Sequence, residues 1–529
     1  MRLPKSAYLW AFRHLITDGD SDLFPRPLEL AALNYHRAHG VIADLANLDL
    51  STYEWRGGRR MLVPKDVLSF RHGTQLDVVD SVVLAAFVKK IGAKLEKHRV
   101  PQTANRVFSY RYSPTPDGRL YGTETRWLQF WERSKTRAER PECTHVLVAD
   151  IADFYNQIYH HAVENQLAAA GLKPAEQRVI KRFLSTYSET VSRGIPVGPH
   201  AVHLLAELAL NPIDQELLAH GHDFCRYVDD FNIFCGSEEQ AHGALYDLAN
   251  SLDAQQRLIL SRHKTTILSA ADFVARAESM LIDRPINNEE AELLEIINDY
   301  VGDDPYAHIA LSELSNEHLE ALGAEALTRL LDIYLAAEST SFSRVGWFLR
   351  RLRQVGAPGA IDFLVENLER FAPVIGDVAR YIMASAANYQ GDPVQLGERI
   401  ANQLDLPIVS KSPYLQTVLL DVLATVPGLN HAEAITARYD DAPQPVRREI
   451  LRVAAANKLS GWLRGRKQEF RAMDPWSRPA YLTGLPALPG DEAEHWLRSI
   501  RSQLSPVERL VVRHAFRNRG MNVGETRIR

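Results

Sequence analysis

Phe224-Cys225-Arg226-Tyr227-Val228-Asp229-Asp230-Phe231-Asn232-Ile233-Phe234 places a polar tetrapeptide between two short apolar runs, the pattern of a β-hairpin with adjacent carboxylates at its tip. Aspartates favour turns for backbone reasons alone, so the tetrapeptide by itself is a weak signal. A second segment changes its weight. Upstream, His145-Val146-Leu147-Val148-Ala149 reads as a strand that delivers a third carboxylate, Asp150, ahead of Ile151-Ala152-Asp153-Phe154-Tyr155. Asp150, Asp229 and Asp230 on two strands supply hard oxygen ligands able to hold two Mg²⁺ ions, or Mn²⁺ in their place, with positions left open for phosphate oxygens and water. Such a site suits phosphoryl transfer. Asp153 reads as a cap for the next helix rather than a ligand.

Between the two strands lie Gly194-Ile195-Pro196-Val197-Gly198-Pro199 and a helical run from about His200 to Ala219. After the hairpin comes Arg262-His263-Lys264-Thr265-Thr266-Ile267. In this order, strand with Asp, Gly-Pro loop with helix, Asp-Asp hairpin and trailing lysine segment, roughly the first half of the chain resembles the reverse transcriptases. The segments correspond to the A, B, C and D motifs of that family's palm. The resemblance implies an RNA-directed DNA polymerase that joins dNTPs into a DNA product. It also implies roles: Tyr155, five positions after Asp150, as the aromatic gate that disfavours a ribose 2′ hydroxyl; Lys264 as proton donor to the leaving pyrophosphate; Arg106 or Arg111 as a contact for the triphosphate. Gly194, Pro196 and Gly198 would form a loop that lets backbone approach a base pair, since glycine has no Cβ. For Tyr155 the competing reading is core packing, for Lys264 a solvated lysine, and for Arg111 an ordinary sheet-edge arginine.

The chain departs from the commonest pattern at Val197, where retroviral and intron-encoded relatives usually carry glutamine, and at Ala201 and Val202. Its Gly-x-Pro-x-Gly-Pro form, followed by Leu204-Leu205-Ala206-Glu207 and Asn211-Pro212-Ile213-Asp214, looks more like the bacterial abortive-infection, defence-associated (AbiK-like) reverse transcriptases. Members of that group join a polymerase to a C-terminal helical domain. Some synthesise DNA without a conventional template, prime from a protein hydroxyl, or work with a non-coding RNA. Nothing singles out a priming residue among the 19 tyrosines.

The rest of the chain supports this division. Asp77 to Ile91 is the clearest apolar helical run of the N-terminal part, ending at Gly92. Val107 to Tyr112 reads as a strand of a fingers region and Pro114-Thr115-Pro116-Asp117-Gly118 as its turn. After about Asp283 strand alternation fades. Ile361, Leu364, Val365 and Leu368 follow helical spacing, and Val446, Ile450, Leu451 and Ala454 come close to it. Asp474-Pro475 and Ser505-Pro506 pair an N-cap residue with proline at the first helical position. Gly356, Pro373, Gly428 and Gly490 punctuate the array. The expected fold is α+β: right-hand polymerase fingers and palm over residues 1–283, then an all-α, HEAT-like helical repeat domain over 284–529.

With 529 residues and 46% hydrophobic content, the chain can form two or three domains with cores of their own. Cys143, Cys225 and Cys235 show no metal-finger spacing and no disulfide framework, which fits a reducing, cytoplasmic setting. The N-terminal residues lack an apolar signal core, and no apolar run is long enough for a membrane span. The net charge of −5 does not exclude nucleic acid, because a polymerase needs only a local basic channel. Basic clusters at Arg344, Arg350, Arg351 and Arg353, at Arg447, Arg448 and Arg452, and at Arg464, Arg466, Lys467 and Arg471 read either as balanced helix faces or as an RNA track. Arg509 and His514 have the R-x4-H spacing of HEPN ribonucleases, but the helix around them reads as structural. The expected partners are dNTPs, the DNA product, an RNA template or non-coding RNA, and a second copy of the chain. Two alternatives stand beside the defence polymerase: a retron- or intron-type reverse transcriptase copying a dedicated RNA, and an inactive polymerase-derived scaffold.

Overall fold

The computed structural model describes residues 1–21, 23–36, 40–122, 126–188, 191–281, 285–302, 308–336 and 341–518. The fold is α+β, and the chain divides into two compact units. The first comprises Met1–Asp22, Arg37–Arg59 and Thr74–Arg284; the second comprises Leu23–His36, Arg60–Gly73 and Pro285–Arg529. Two strands, β1 (Gly58–Pro64) and β2 (Phe70–Leu76), pair with each other. The remaining strands, β3 (His145–Asp150), β4 (Asp223–Tyr227), β5 (Asp230–Cys235) and β6 (Thr266–Ser269), form an antiparallel sheet in the order β4-β5-β3-β6.

Within this sheet β3 is buried on both faces from Val146 to Asp150, so it reads as a nearly continuous apolar run. On one face Val146, Val148, Cys225 and Phe234 pack with Phe130 and Trp131 of the helix Arg126–Ala138 and with Phe273 and Ala277 of the helix Ala270–Leu281. The helix Glu238–Gln256 packs on β3 and β5. The period of two puts Asp150 and Asp230 on the same side of the sheet as Val148 and Asn232. Apolar burial therefore fixes the register, and the register fixes where the carboxylates emerge.

Two sequence expectations in this unit are corrected. Gly92 does not end its helix, which starts at Asp77, whose carboxylate accepts from the Val79 amide at 2.8 Å, and runs over Val78–His98. A Cβ at Gly92 would lie 2.2 Å from the Tyr112 ring, so the glycine is a notch for that ring. Val107 to Tyr112 is not a strand either. Val107 bridges Arg226, Tyr112 bridges Tyr121, and between them Tyr110 takes a left-handed φ of 41° that breaks the extended run. The turn that follows is present, with the Gly118 amide donating to Thr115 O at 3.2 Å.

In the second unit the helices Asn288–Val301, Phe342–Val355, Ile375–Ser385, Pro413–Thr425, Gln444–Ala456, Ser477–Thr483 and Pro506–Asn518 each pack on the next. This neighbour-to-neighbour stack is compatible with HEAT-like repeats. Ser505 caps the last helix through the Glu508 amide at 3.2 Å, while Glu508 accepts from the Ser505 amide at 2.7 Å, a capping box. Asp474 accepts from the Trp476 and Ser477 amides at the head of Ser477–Thr483.

The helix Glu29–His36 packs on Pro506–Asn518, far from it in sequence. Glu29 accepts two hydrogen bonds, at 2.9 and 2.8 Å, from the buried guanidinium of Arg448, which also donates to Trp476 O at 2.6 Å. The basic clusters are largely paired within the unit: Arg350 with Asp377, Arg452 with Asp421 and Glu449, Arg464 with Glu492, and Arg466 with Asp440 and Glu469. The balanced-face reading holds for these arginines. Among the described residues no helix is long and apolar enough to cross a membrane.

Candidate active site

The β3–β5 register sets Asp150 directly opposite Asp230, and Asp229 lies in the turn that joins β4 to β5. Like charges directly opposite each other destabilise a sheet. Burial, reinforced by the charges of Asp230 and Asp150, pushes the Asp229 carboxyl up to about 7. A group of carboxylates that resist ionising together is a site that cations relieve. Lys264 supplies one: its Nζ donates to Asp150 Oδ1 at 2.8 Å. Although burial pulls it down, the bond to Asp150 and the charges of all three aspartates hold the Lys264 ammonium above the ordinary lysine range. The all-oxygen donor set of three carboxylates fits divalent metal ions.

Backbone contacts bring Lys264 there. The Ser261 amide donates to Asp150 O at 2.7 Å, and Ser261 O accepts from the Lys264 and Thr265 amides at 3.2 and 3.0 Å. β6 then continues alongside β3.

The hairpin tip is held from beneath by a buried network of hydrogen bonds and ion pairs. Val228 has a φ of 54°, a left-handed conformation costly for a β-branched residue. Its amide donates to Ser109 Oγ at 2.8 Å and its carbonyl accepts from Arg226 Nη1 at 2.7 Å. Arg226, with no solvent exposure, donates to both oxygens of Asp214 at 2.7 and 2.6 Å and lies 3.1 Å from Glu207. Glu207 in turn accepts from Arg99 at 2.6 Å. Two arginines and two carboxylates thus satisfy one another beneath the tip, as buried charges must.

Tyr155 follows Asp150 in the short helix Phe154–Gln157 and is half-buried, whereas Phe154 beside it is fully in the core. The Tyr155 hydroxyl is hydrogen-bonded to His203 Nδ1 at 2.6 Å, and the His203 ring stacks on Tyr110 with centroids 4.0 Å apart and planes within 7°. Burial, with a smaller contribution from His200, pulls the His203 imidazole down to about 3, so it is neutral. His203 was not singled out in the sequence; it lies at the head of the helix His203–Ala219, where only the fold brings it to Tyr155.

The Gly-Pro loop runs beside this tyrosine. The Ile195 amide donates to Tyr155 O and the Gly194 amide to Ile158 O, both at 2.8 Å, and Val197 O accepts from the Thr74 amide at 2.8 Å. Pro196 sits between these anchors. Gly194 and Gly198 have φ of +95° and +127°, and a Cβ at Gly198 would meet Ser21 Oγ at 2.9 Å and Thr74 O at 3.0 Å. Both positions therefore need glycine.

Two expectations fall outside this cluster. Arg111 is only 2% exposed; it donates to Val100 O at 2.7 Å and pairs with Glu96 at 3.0 Å, so its guanidinium serves the interior rather than a triphosphate. Arg106 pairs with Asp223. Asp153 stands at the N-cap of the helix Phe154–Gln157, as expected, but its carboxylate accepts from the side-chain amides of Asn156 at 2.7 Å and Gln157 at 3.1 Å rather than from a backbone amide.

Residues 82–321 match the family model described as reverse transcriptase (RNA-dependent DNA polymerase). No curated protein matches the chain. Among solved structures it is similar to telomerase from Candida albicans in complex with a TWJ fragment of telomeric RNA, at 10% identity and a TM-score of 0.31, over 77% of this chain and 70% of that one. Apo telomerase from Candida tropicalis is similar at 10% identity and a TM-score of 0.31, over 84% and 73%. The matched span encloses the three aspartates, the Gly-Pro loop and Lys264, and the chain carries a reverse transcriptase domain.

Proposed function

We propose that the chain synthesises DNA from dNTPs at Asp150, Asp229 and Asp230. The observation that carries this reading is the convergence of those carboxylates with the Lys264 ammonium at one end of the β3–β5 ladder. The three aspartates would hold Mg²⁺, or Mn²⁺ in its place, and two such ions would activate a 3′ hydroxyl and neutralise triphosphate charge. Lys264, whose ammonium donates to Asp150, would give its proton to the departing pyrophosphate. Tyr155, hydrogen-bonded to His203, would set its ring against the 2′ position of the incoming sugar. The loop Gly194 to Gly198, held in shape by its two glycines, would lie along the nascent base pair.

Within the reverse transcriptases, Val197 in the Gly-Pro loop and the helical stack of the second unit support membership of the abortive-infection, antiviral defence group, acting in the cytoplasm. That placement leaves room for synthesis that is non-templated or protein-primed, for an RNA partner, and for self-association. The helical stack would serve as the domain that handles product, RNA or a second copy. The test is incorporation of labelled dNTPs by the purified full-length protein, with an RNA template and DNA primer and with neither. DNase-sensitive product that requires no template supports the defence reading. Product made only on added RNA favours the mobile-element type, and none under any condition leaves a binding scaffold.

A further inference from the structure

At the far end of the helix His203–Ala219 from the Gly-Pro loop, His220-Gly221-His222 forms the helix cap, and both imidazoles face one carboxylate on a neighbouring helix. Asp247 of Glu238–Gln256 places its Oδ2 2.8 Å from His222 Nε2 and 3.6 Å from His220 Nδ1. All three ligand atoms lie within 4.8 Å of one another. We infer that His220, His222 and Asp247 form a binding site for a transition-metal ion of the Zn²⁺ class.

The backbone builds the site. The Gly221 amide donates to Leu218 O at 3.0 Å and the His222 amide to Leu217 O at 3.0 Å, with Gly221 at φ +78°. This is a Schellman cap, which fixes the two histidines on either side of a left-handed glycine. A helix C-terminus carries partial negative charge, so the cap and Asp247 both favour a cation there. The distances suit the ion. Ligands about 2.1 Å from a tetrahedral Zn²⁺ stand about 3.4 Å from one another, and the observed 2.8 and 3.6 Å bracket that separation. Two imidazoles and one carboxylate select Zn²⁺ over Mg²⁺, which prefers an all-oxygen set, and three protein ligands leave a fourth position for water. The side chains are 43%, 17% and 35% exposed, so an ion can enter without unfolding. Binding requires His220 to carry its proton on Nε2 and His222 on Nδ1, leaving the facing nitrogens as donors.

The other trio of this kind, His14, Asp18 and His200, is less suited, because His14 Nδ1 is already bonded to Gly118 O at 2.8 Å and the residue is almost fully buried. A bound ion at His220, His222 and Asp247 would tie the turn before β4 to the helix Glu238–Gln256, and so brace the strand that leads to Asp229.

The test is titration of metal-stripped, full-length protein with ZnCl₂ in excess Mg²⁺, read by calorimetry and by metal content after dialysis. We expect one Zn²⁺ per chain, a rise in the unfolding temperature on binding, and at least about tenfold weaker binding in His222→Ala and in His220→Ala. Asp150→Asn should bind Zn²⁺ as the wild type does, which separates this site from the polymerase reading. His220→Ala alters the more exposed ligand and keeps the test decisive if His222→Ala does not fold. Failure of the wild type to retain Zn²⁺, or wild-type retention by both histidine variants, would overturn the inference.

Discussion

Asp229→Asn should abolish nucleotide incorporation and at the same time stabilise the metal-free protein at alkaline pH. The carboxyl is raised from 3.8 to about 7 by burial and by its two acidic neighbours. Below about pH 4 both folded and unfolded chains hold the proton and the group contributes no difference. As pH rises from about 4 to about 7, the unfolded chain ionises first, so the folded state loses stability, and above pH 7 the whole penalty is in place. Three pH units at 1.36 kcal/mol each set a ceiling of about 4 kcal/mol. Partial solvent access to Asp229 and sharing of charge among the three carboxylates reduce this to about 1–3 kcal/mol. The neutral amide carries no such penalty. Urea unfolding in EDTA should therefore show the variant more stable than wild type at pH 8 and equal to it near pH 4. Added Mg²⁺ should narrow the gap by stabilising only the wild type. A variant less stable at pH 8, or a gap independent of pH, would refute the claim that Asp229 sits in an acidic, cation-seeking site.

Tyr155→Ala should admit ribonucleotides, with dATP-over-ATP preference falling tenfold or more because excluding one hydroxyl is worth on the order of a few kcal/mol; Tyr155→Phe keeps the ring and should keep the preference. Unchanged selection at full activity in Tyr155→Ala would make the ring core packing only. Lys264→Ala should lower single-turnover incorporation by about 10²-fold with little change in unfolding, since Lys264 is 53% exposed and an exposed pair contributes little; an undiminished rate would remove it as proton donor. Arg448→Ala strands Glu29 without its buried partner and should destabilise the second unit by about 3–5 kcal/mol, read by thermal unfolding. Likewise a fragment ending at Asp283 leaves Leu23–His36 without the helices it packs on, and we expect it to be poorly soluble; a soluble, fully active fragment would show the units to be independent.

How far the sequence revealed this arrangement depended on whether the signal was local. The apolar runs around Asp150 and Asp229 are short, dense and correctly spaced, so β3, β4 and β5 emerge where the residues place them. The helical stack after residue 284 was equally legible, because each helix buries one face against a sequence neighbour. Long-range contacts left no local trace. Glu29 is paired with Arg448 in the second unit, and Gly92 lies mid-helix where the Tyr112 ring takes the space of a Cβ. Arg111 looked available since arginine is usually exposed, yet Glu96 pays for its burial. His203 carried a weaker clue, as the first residue of a helix directly after the Gly-Pro loop. Glu207 and Asp214 stood in the sequence as an unusual acidic pair on an apolar helix; a buried charge requires a partner, and that partner was Arg226 of the hairpin itself.

The central claim, that Asp150, Asp229 and Asp230 form a nucleotidyl-transfer site, is tested most directly by comparing Asp150→Asn with Asp153→Asn in one incorporation assay. Both substitutions remove one negative charge from the same short segment. Only Asp150 faces Asp230 and Lys264, whereas Asp153 accepts from Asn156 and Gln157 at the surface. The account predicts that folded Asp150→Asn incorporates no labelled dNTP while Asp153→Asn retains most of the wild-type rate. Incorporation that survives Asp150→Asn, or that is lost equally in both variants, would contradict it.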